Sequence, residues 1–242
     1  MNFILFDIET DKLPDDQLPE FDESSVKLGR MTDPEKIAAK IEEAKTKWSE
    51  RFALHPSTGR VLCIGAYAVM NDKFSCVHDD ENEATLLGYW WSWVEKVMQR
   101  GNVFLVGVNI FSFDLPFLVR RSWILRVPIP DGVVDPWGRF PRWHNVFKDV
   151  RQAWQLGDTQ AESNFNHLAR VFGTAGKGEI DGSQFADLWR NDREKAIAYL
   201  EQDVRQPAMW LNQMLGIIDA EFEVKEEPED EQEQPVDDSG SE

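Results

Sequence analysis

Asn2-Phe3-Ile4-Leu5-Phe6-Asp7-Ile8-Glu9-Thr10 places four consecutive apolar residues ahead of an acid, an isoleucine and a second acid. Residues 2–8 read as a short buried strand that ends at a carboxylate pair, where a sheet edge gathers functional groups. Residues two apart in an extended chain share a face, so Asp7 and Glu9 are neighbours on one side. The next residues, with Pro14, Pro19 and acids between them, read as loop. A helix follows to about residue 52, with Thr32 as N-cap, Pro34 near its first turn and Ile37, Ile41, Ala44 and Trp48 on one face. Residues 11–58 thus read as an insertion or lid. Residues 61–69 and 73–77 read as antiparallel strands around Asn71-Asp72, residues 83–100 as a Trp- and Leu-rich helix, and residues 103–108 as another buried strand. A helix is expected over 114–125, a proline-rich loop over 127–150, and helices over 162–172, 182–189 and 192–215. Strands first, then a strand alternating with helices, then helices, predict an α/β fold: a mixed sheet with helices on its faces.

A chain of 242 residues with 42% hydrophobic content fits one large domain plus an appendage. Cys63 and Cys76 sit in apolar runs without metal-ligand spacing, which disfavours a disulfide framework and structural zinc and suits a reducing compartment. The longest apolar run, residues 61–70, is about half a membrane span, and the N-terminus lacks a basic leader. A soluble, cytoplasmic protein without membrane contact is expected. The net charge of −18 would repel nucleic acid, but it is unevenly placed. Residues 221–242 hold 11 acids and 1 base, and residues 1–24 hold 8 acids and 1 base. Residues 25–220 carry 25 acids and 24 bases, so the body is free to present a basic face. The expected boundaries are a domain over 1–218 and an acidic, disordered tail over 219–242, which could recruit a protein partner.

Asp7 and Glu9 on the first strand, Asp114 just after the fourth, and Tyr199 with Asp203 on the last long helix occupy the places where such a sheet collects chemistry. Tyr199 and Asp203, four apart, share a helix face. Crowded carboxylates repel unless protons or cations compensate them, and hard divalent ions such as Mg²⁺ or Mn²⁺ suit an all-oxygen set.

Phe6-Asp7-Ile8-Glu9-Thr10, Asn109-Ile110-Phe111-Ser112-Phe113-Asp114-Leu115-Pro116 and Tyr199-Leu200-Glu201-Gln202-Asp203 resemble the three exonuclease motifs of the DEDD superfamily, in its tyrosine subgroup. The wording of residues 107–118 is similar to the proofreading domain of family B DNA polymerases, especially to stand-alone predicted exonucleases related to it; Gly176 to Ser183 echoes a segment of those proteins. The resemblance implies a ribonuclease H-like fold and a 3′-to-5′ exonuclease that acts on DNA ends, single-stranded or frayed, with two divalent cations, Mg²⁺ or Mn²⁺. It implies that Asp7 bridges both ions, that Glu9 and Asp203 complete the first, that Asp114 holds the second, and that Tyr199 orients the attacking water. An exoribonuclease on the same scaffold and a silent nucleic-acid-binding module are the competing functions.

By the same resemblance Asn109 and Phe113 contact the terminal nucleotides, Thr10 and Leu115 lie beside them, and Lys177 faces phosphate. A strand-end turn accounts equally for Asn109, core packing for Phe113 and Leu115, and a solvated loop for Lys177. Residues 120–154 hold seven bases and three acids among many aromatics, a composition that suits either a single-strand channel or a Trp-rich core under surface arginines. Arg120, Arg121 and Arg142 are its candidate phosphate contacts. Trp90, Trp91 and Trp93 are expected in the core, and His55, His78 and His167 lack ligand spacing. The inserted helix reads as a lid over a nucleic-acid strand or a cover for a sheet edge.

Overall fold

Strand β1 (Asn2–Lys12) runs through the centre of a five-stranded sheet in the computed structural model, which describes residues 2–178 and 184–216. Expectations for residues 179–183 and for the tail lie outside the described residues. On one side β1 pairs antiparallel with β2 (Gly59–Ala68), and β2 with β3 (Lys73–His78). On the other side it pairs parallel with β4 (Val103–Gly107), whose outer neighbour, also parallel, is β7 (Phe147–Asp149). The expected mixed α/β sheet is present.

β1 is longer than its apolar core suggested. A bulge between Glu9 and Thr10 shifts the register, and pairing resumes as far as Lys12 opposite Gly59. The insertion is therefore residues 13–58 and forms the connection of one antiparallel pair. Its helix α1 (Pro34–Ser49) is capped by Asp33, whose carboxylate accepts from the Glu35 amide at 3.0 Å, so Thr32 is not the N-cap. No α1 residue is buried. Trp48 nevertheless packs on Phe21 at 5.2 Å and on Phe52 at 4.5 Å.

Helices α2 (Glu83–Arg100) and α3 (Asp114–Leu125) cover one face, packing Trp90, Trp91, Leu115 and Phe117 on Phe6, Ile8, Val61 and Ile64. The buried indole N–H of Trp91 donates to the Ser122 hydroxyl at 2.7 Å. The other face takes α4 (Val150–Gln155), α5 (Phe165–Val171), α6 (Phe185–Asn191) and α7 (Arg193–Met214), with Phe3, Leu5 and Val106 against Val204, Ala208 and Trp210. Within the expected loop of 127–150 lie β7 and a small ribbon of β5 (Val134–Asp135) and β6 (Arg142–Trp143). Strands of two or three residues are too short to show an alternation. No helix among the described residues is long and apolar enough to cross a membrane.

Candidate active site

Side chains of β1 divide by parity: Phe6 and Ile8 enter the α2/α3 core, while Phe3 and Leu5 enter the core under α7. Asp7 and Glu9 continue the second row and so face α7. Gly65 sits opposite Asp7 on β2, and a Cβ there would lie 2.6 Å from Leu200 Cγ. The missing side chain lets α7 rest directly on the sheet, which brings Asp203 to the acidic pair. Carboxylate oxygens of Asp7, Glu9 and Asp203 lie within 4.8 Å of one another. Asp114 opens α3 at the end of the adjoining connection. Its Oδ1 accepts from the Ile8 amide at 3.2 Å, and its carboxyl is within hydrogen-bonding reach of Asp7.

These acids are compressed electrostatically. Burial at the cleft floor, followed by the Asp203 charge, raises Asp7 to about 6. Burial and then Asp7 raise both Glu9 and Asp114 well above the usual carboxylate range. Asp203 is also raised by burial, against the pull of Lys177. Lys177 Nζ stands 3.3 Å from Asp203 Oδ2, a charge contact without hydrogen-bond alignment. Burial opposes the Lys177 charge, yet Asp203, Asp7, Tyr199 and Glu9 together hold the ammonium above its ordinary range. Four carboxyls facing one ammonium, all with oxygen donors and no Cys or His, fit hard divalent cations.

Lys177 is aimed by its loop. Gly176 donates to Gln206 Oε1 at 2.7 Å and accepts from Gln206 Nε2 at 3.0 Å, while the Lys177 amide donates to Asn166 Oδ1 at 2.9 Å. Asn109 is a left-handed turn residue, with φ +67°, held from behind by β7. The Asp149 carboxylate accepts from the amides of Asn109 (3.0 Å), Phe111 (3.3 Å) and Arg151 (2.8 Å). Arg151 in turn donates to Asn109 Oδ1 at 2.6 Å. Both readings of Asn109 hold: it makes the strand-end turn and it lines the cleft.

The cleft encloses about 350 Å³ and brings together Asp7, Glu9, Thr10, Asn109, Phe113, Asp114, Lys177 and Asp203. Four expected contacts are corrected. Leu115 is fully buried in the α2/α3 core. Arg121 is buried too: its guanidinium binds Glu83 at 2.5 and 3.0 Å and donates to the Pro56 carbonyl at 2.9 Å, so phosphate cannot reach it. Arg142 is exposed but ion-paired with Asp135 and does not line the cleft; Arg120 is exposed and does not line it either. Tyr199 lies behind the acids, its ring against Phe185 and below Lys177, with its buried hydroxyl lacking a hydrogen-bond partner among the described residues.

The aromatic segment splits in the same way. Trp123, Trp137 and Phe140 are exposed, whereas Phe147 is buried, Trp143 stacks on Phe111, and Trp154 packs on Phe172. Cleft residues that sequence reading missed are Arg151, Phe165, Asn164 and Leu54. The only local signal for any of them was Asn164 as an N-cap ahead of α5.

The fold and the acidic cleft define a ribonuclease H-like α/β protein with carboxylates gathered where parallel β1 and β4 end. The chain belongs to the family described as predicted 3′-5′ exonuclease related to the exonuclease domain of PolB, whose family model matches residues 57–233. Among solved structures it is similar to the family B DNA polymerase from the hyperthermophilic archaeon Pyrobaculum calidifontis, with a TM-score of 0.56 and 17% identity. That match covers 88% of this chain and 24% of the polymerase chain, so the protein spans about a quarter of that enzyme's length. No curated protein matches the chain. The matched residues include Asn109, Asp114, Lys177, Tyr199 and Asp203 but not β1. Asp7 and Glu9 lie outside the matched residues, and the geometry brings their carboxylates to Asp203.

Proposed function

We propose that the protein is a metal-dependent 3′-to-5′ exonuclease that hydrolyses phosphodiester bonds at single-stranded or frayed DNA ends, with residues 1–218 as the nuclease unit and 219–242 as an acidic extension. The observation that carries this reading is the convergence of Asp7, Glu9, Asp114 and Asp203 from three elements on one cleft floor beside Asn109, Phe113 and Lys177. Asp7, Glu9 and Asp203 would hold one Mg²⁺ or Mn²⁺, and Asp7 with Asp114 the second. Bound there, the ions would lower the pKa of the attacking water and neutralise charge on the phosphate and the departing 3′ oxygen. Lys177 supplies a fixed positive charge beside the phosphate position, the side-chain Nδ2 of Asn109, whose Oδ1 Arg151 holds, donates to the nucleotide, and Phe113 offers a ring for stacking. Tyr199 keeps its proton, because burial and Asp203 raise its pKa above the ordinary value, so it orients water as a donor instead of serving as a base.

The test is a denaturing-gel time course on 5′-labelled and 3′-labelled strands, duplexes and matched RNA, with Mn²⁺ or EDTA. Stepwise metal-dependent shortening from the 3′ end of single-stranded DNA is expected, and Asp203→Ala or Asp7→Ala should abolish it with the fold intact by circular dichroism. Near-normal cleavage by either variant overturns the assignment; faster shortening of RNA makes the enzyme an exoribonuclease; binding without any metal-dependent product makes it a binding module.

A further inference from the structure

Leu54 reaches the cleft from the insertion, outside the residues that the family model covers. It ends the 3-10 turn Phe52–Leu54, which packs on β1 and β2. Its side chain is 60% exposed, and an exposed leucine alone is unremarkable on a protein surface. The scaffold that holds it sets this one apart. Phe52, two residues before, is buried edge-on against Trp48. Gly59 passes so close to the turn that a Cβ would stand 2.7 Å from the Phe52 carbonyl oxygen and 2.8 Å from that of Ala53. The Thr58 hydroxyl donates to the same Phe52 oxygen at 3.1 Å. Arg121, locked to Glu83, binds the Pro56 carbonyl, and Glu83 Oε1 also accepts from the Val61 amide at 2.8 Å. A turn fixed on both flanks presents Leu54 in one place, so little ordering is needed when a ligand meets it.

Phe113 and Phe165 line the same cleft, which therefore combines an acidic floor with apolar walls from three separate elements. A single-stranded end can turn its terminal base into such walls, whereas the last base of a duplex is held in the helix by its pairing partner and must be unpaired before the walls can close on it. We propose that Leu54 is a specificity-determining contact that meets the face of the 3′-terminal base, so that the Phe52–Leu54 turn selects unpaired 3′ ends. The proposal rests on the nuclease reading above.

Leu54 is exposed, so Leu54→Ala should fold. Binding of 5′-fluorescein DNA and RNA 12-mers ending in a 3′-terminal phosphorothioate linkage is measured by anisotropy in Ca²⁺, alongside steady-state release in Mn²⁺ from the same sequences with an ordinary 3′-terminal phosphodiester. For single strands Leu54→Ala should raise Kd and KM by roughly tenfold while kcat changes less than about twofold, Leu54→Phe should restore both, and blunt-duplex Kd should not move. Equal Kd and KM in wild type and Leu54→Ala overturn the proposal. If the wild type binds but releases nothing under any metal, the nuclease reading fails and anisotropy alone decides Leu54. Weaker binding by Leu54→Ala then keeps the contact; no change, or no binding by the wild type, removes it.

Discussion

Tyr199 and Asp7 carry the residue-scale consequences of burial. Under the nuclease reading the Tyr199 phenol donates to the water that attacks phosphorus, so Tyr199→Phe, which removes one oxygen, should lower kcat by on the order of 10² to 10⁴ without unfolding the protein. An unchanged single-turnover rate would take Tyr199 out of the mechanism. For Asp7 the consequence is pH dependence of stability. Its carboxyl, raised from 3.8 to about 6 in the fold, binds its proton more tightly folded than unfolded. Between those values the unfolded state holds fewer protons, so stability falls as pH rises. In EDTA the protein should lose up to roughly 3 kcal/mol between pH 4 and 6.5, with Glu9 and Asp114 acting in the same direction. Asp7→Asn should flatten that slope, and Mn²⁺ should reverse it by binding the folded state. Urea denaturation across the pH range checks all three; stability that rises toward pH 6.5 in EDTA would contradict them.

Arg121 shows how far an element's residues can depart from their local appearance. Its neighbours Arg120 and Trp123 are exposed, and a basic, aromatic segment pointed to phosphate, yet one side of α3 turns inward and takes Arg121 to Glu83 at the start of α2. Breaking a buried pair strands a charge, so Arg121→Met should cost about 3–5 kcal/mol in urea denaturation. The salt dependence of DNA binding should not change, because no phosphate contact is lost. A normal midpoint with a shallower salt slope would return Arg121 to the nucleic-acid surface. Helices α2 and α3 follow from sequence at their observed ends because their apolar periodicity is long and their starts are marked. β7 and α4 do not, since a three-residue strand and a six-residue helix are specified by neighbours. Asp149, which ties the Asn109 turn to α4, looks in sequence like one more loop acid.

At the scale of the whole molecule, charge and convergence are separate questions. Residues 221–242 carry ten net negative charges and residues 1–24 carry seven, the latter including the acid pair at the cleft floor. If the extension competes with DNA for the basic face, deleting 219–242 should tighten binding at low salt, with the difference vanishing at high salt as the charges are screened. Equal affinity at low salt would reject the competition.

Spacing inside single elements is a property of backbone geometry, and it sufficed to pair Asp7 with Glu9 and Tyr199 with Asp203; joining those pairs with Asp114 in one site rested on the resemblance of the three motifs. Assembly of the cleft depended on packing between segments far apart in sequence. Gly65 admits α7 to β2, Gln206 straps the Lys177 loop, Asp149 and Arg151 brace Asn109, and Arg121 moors the turn that presents Leu54. None of these contacts has a period or a local spacing to announce it. Each depends on which atoms meet once the sheet is covered and most buried polar groups take a partner.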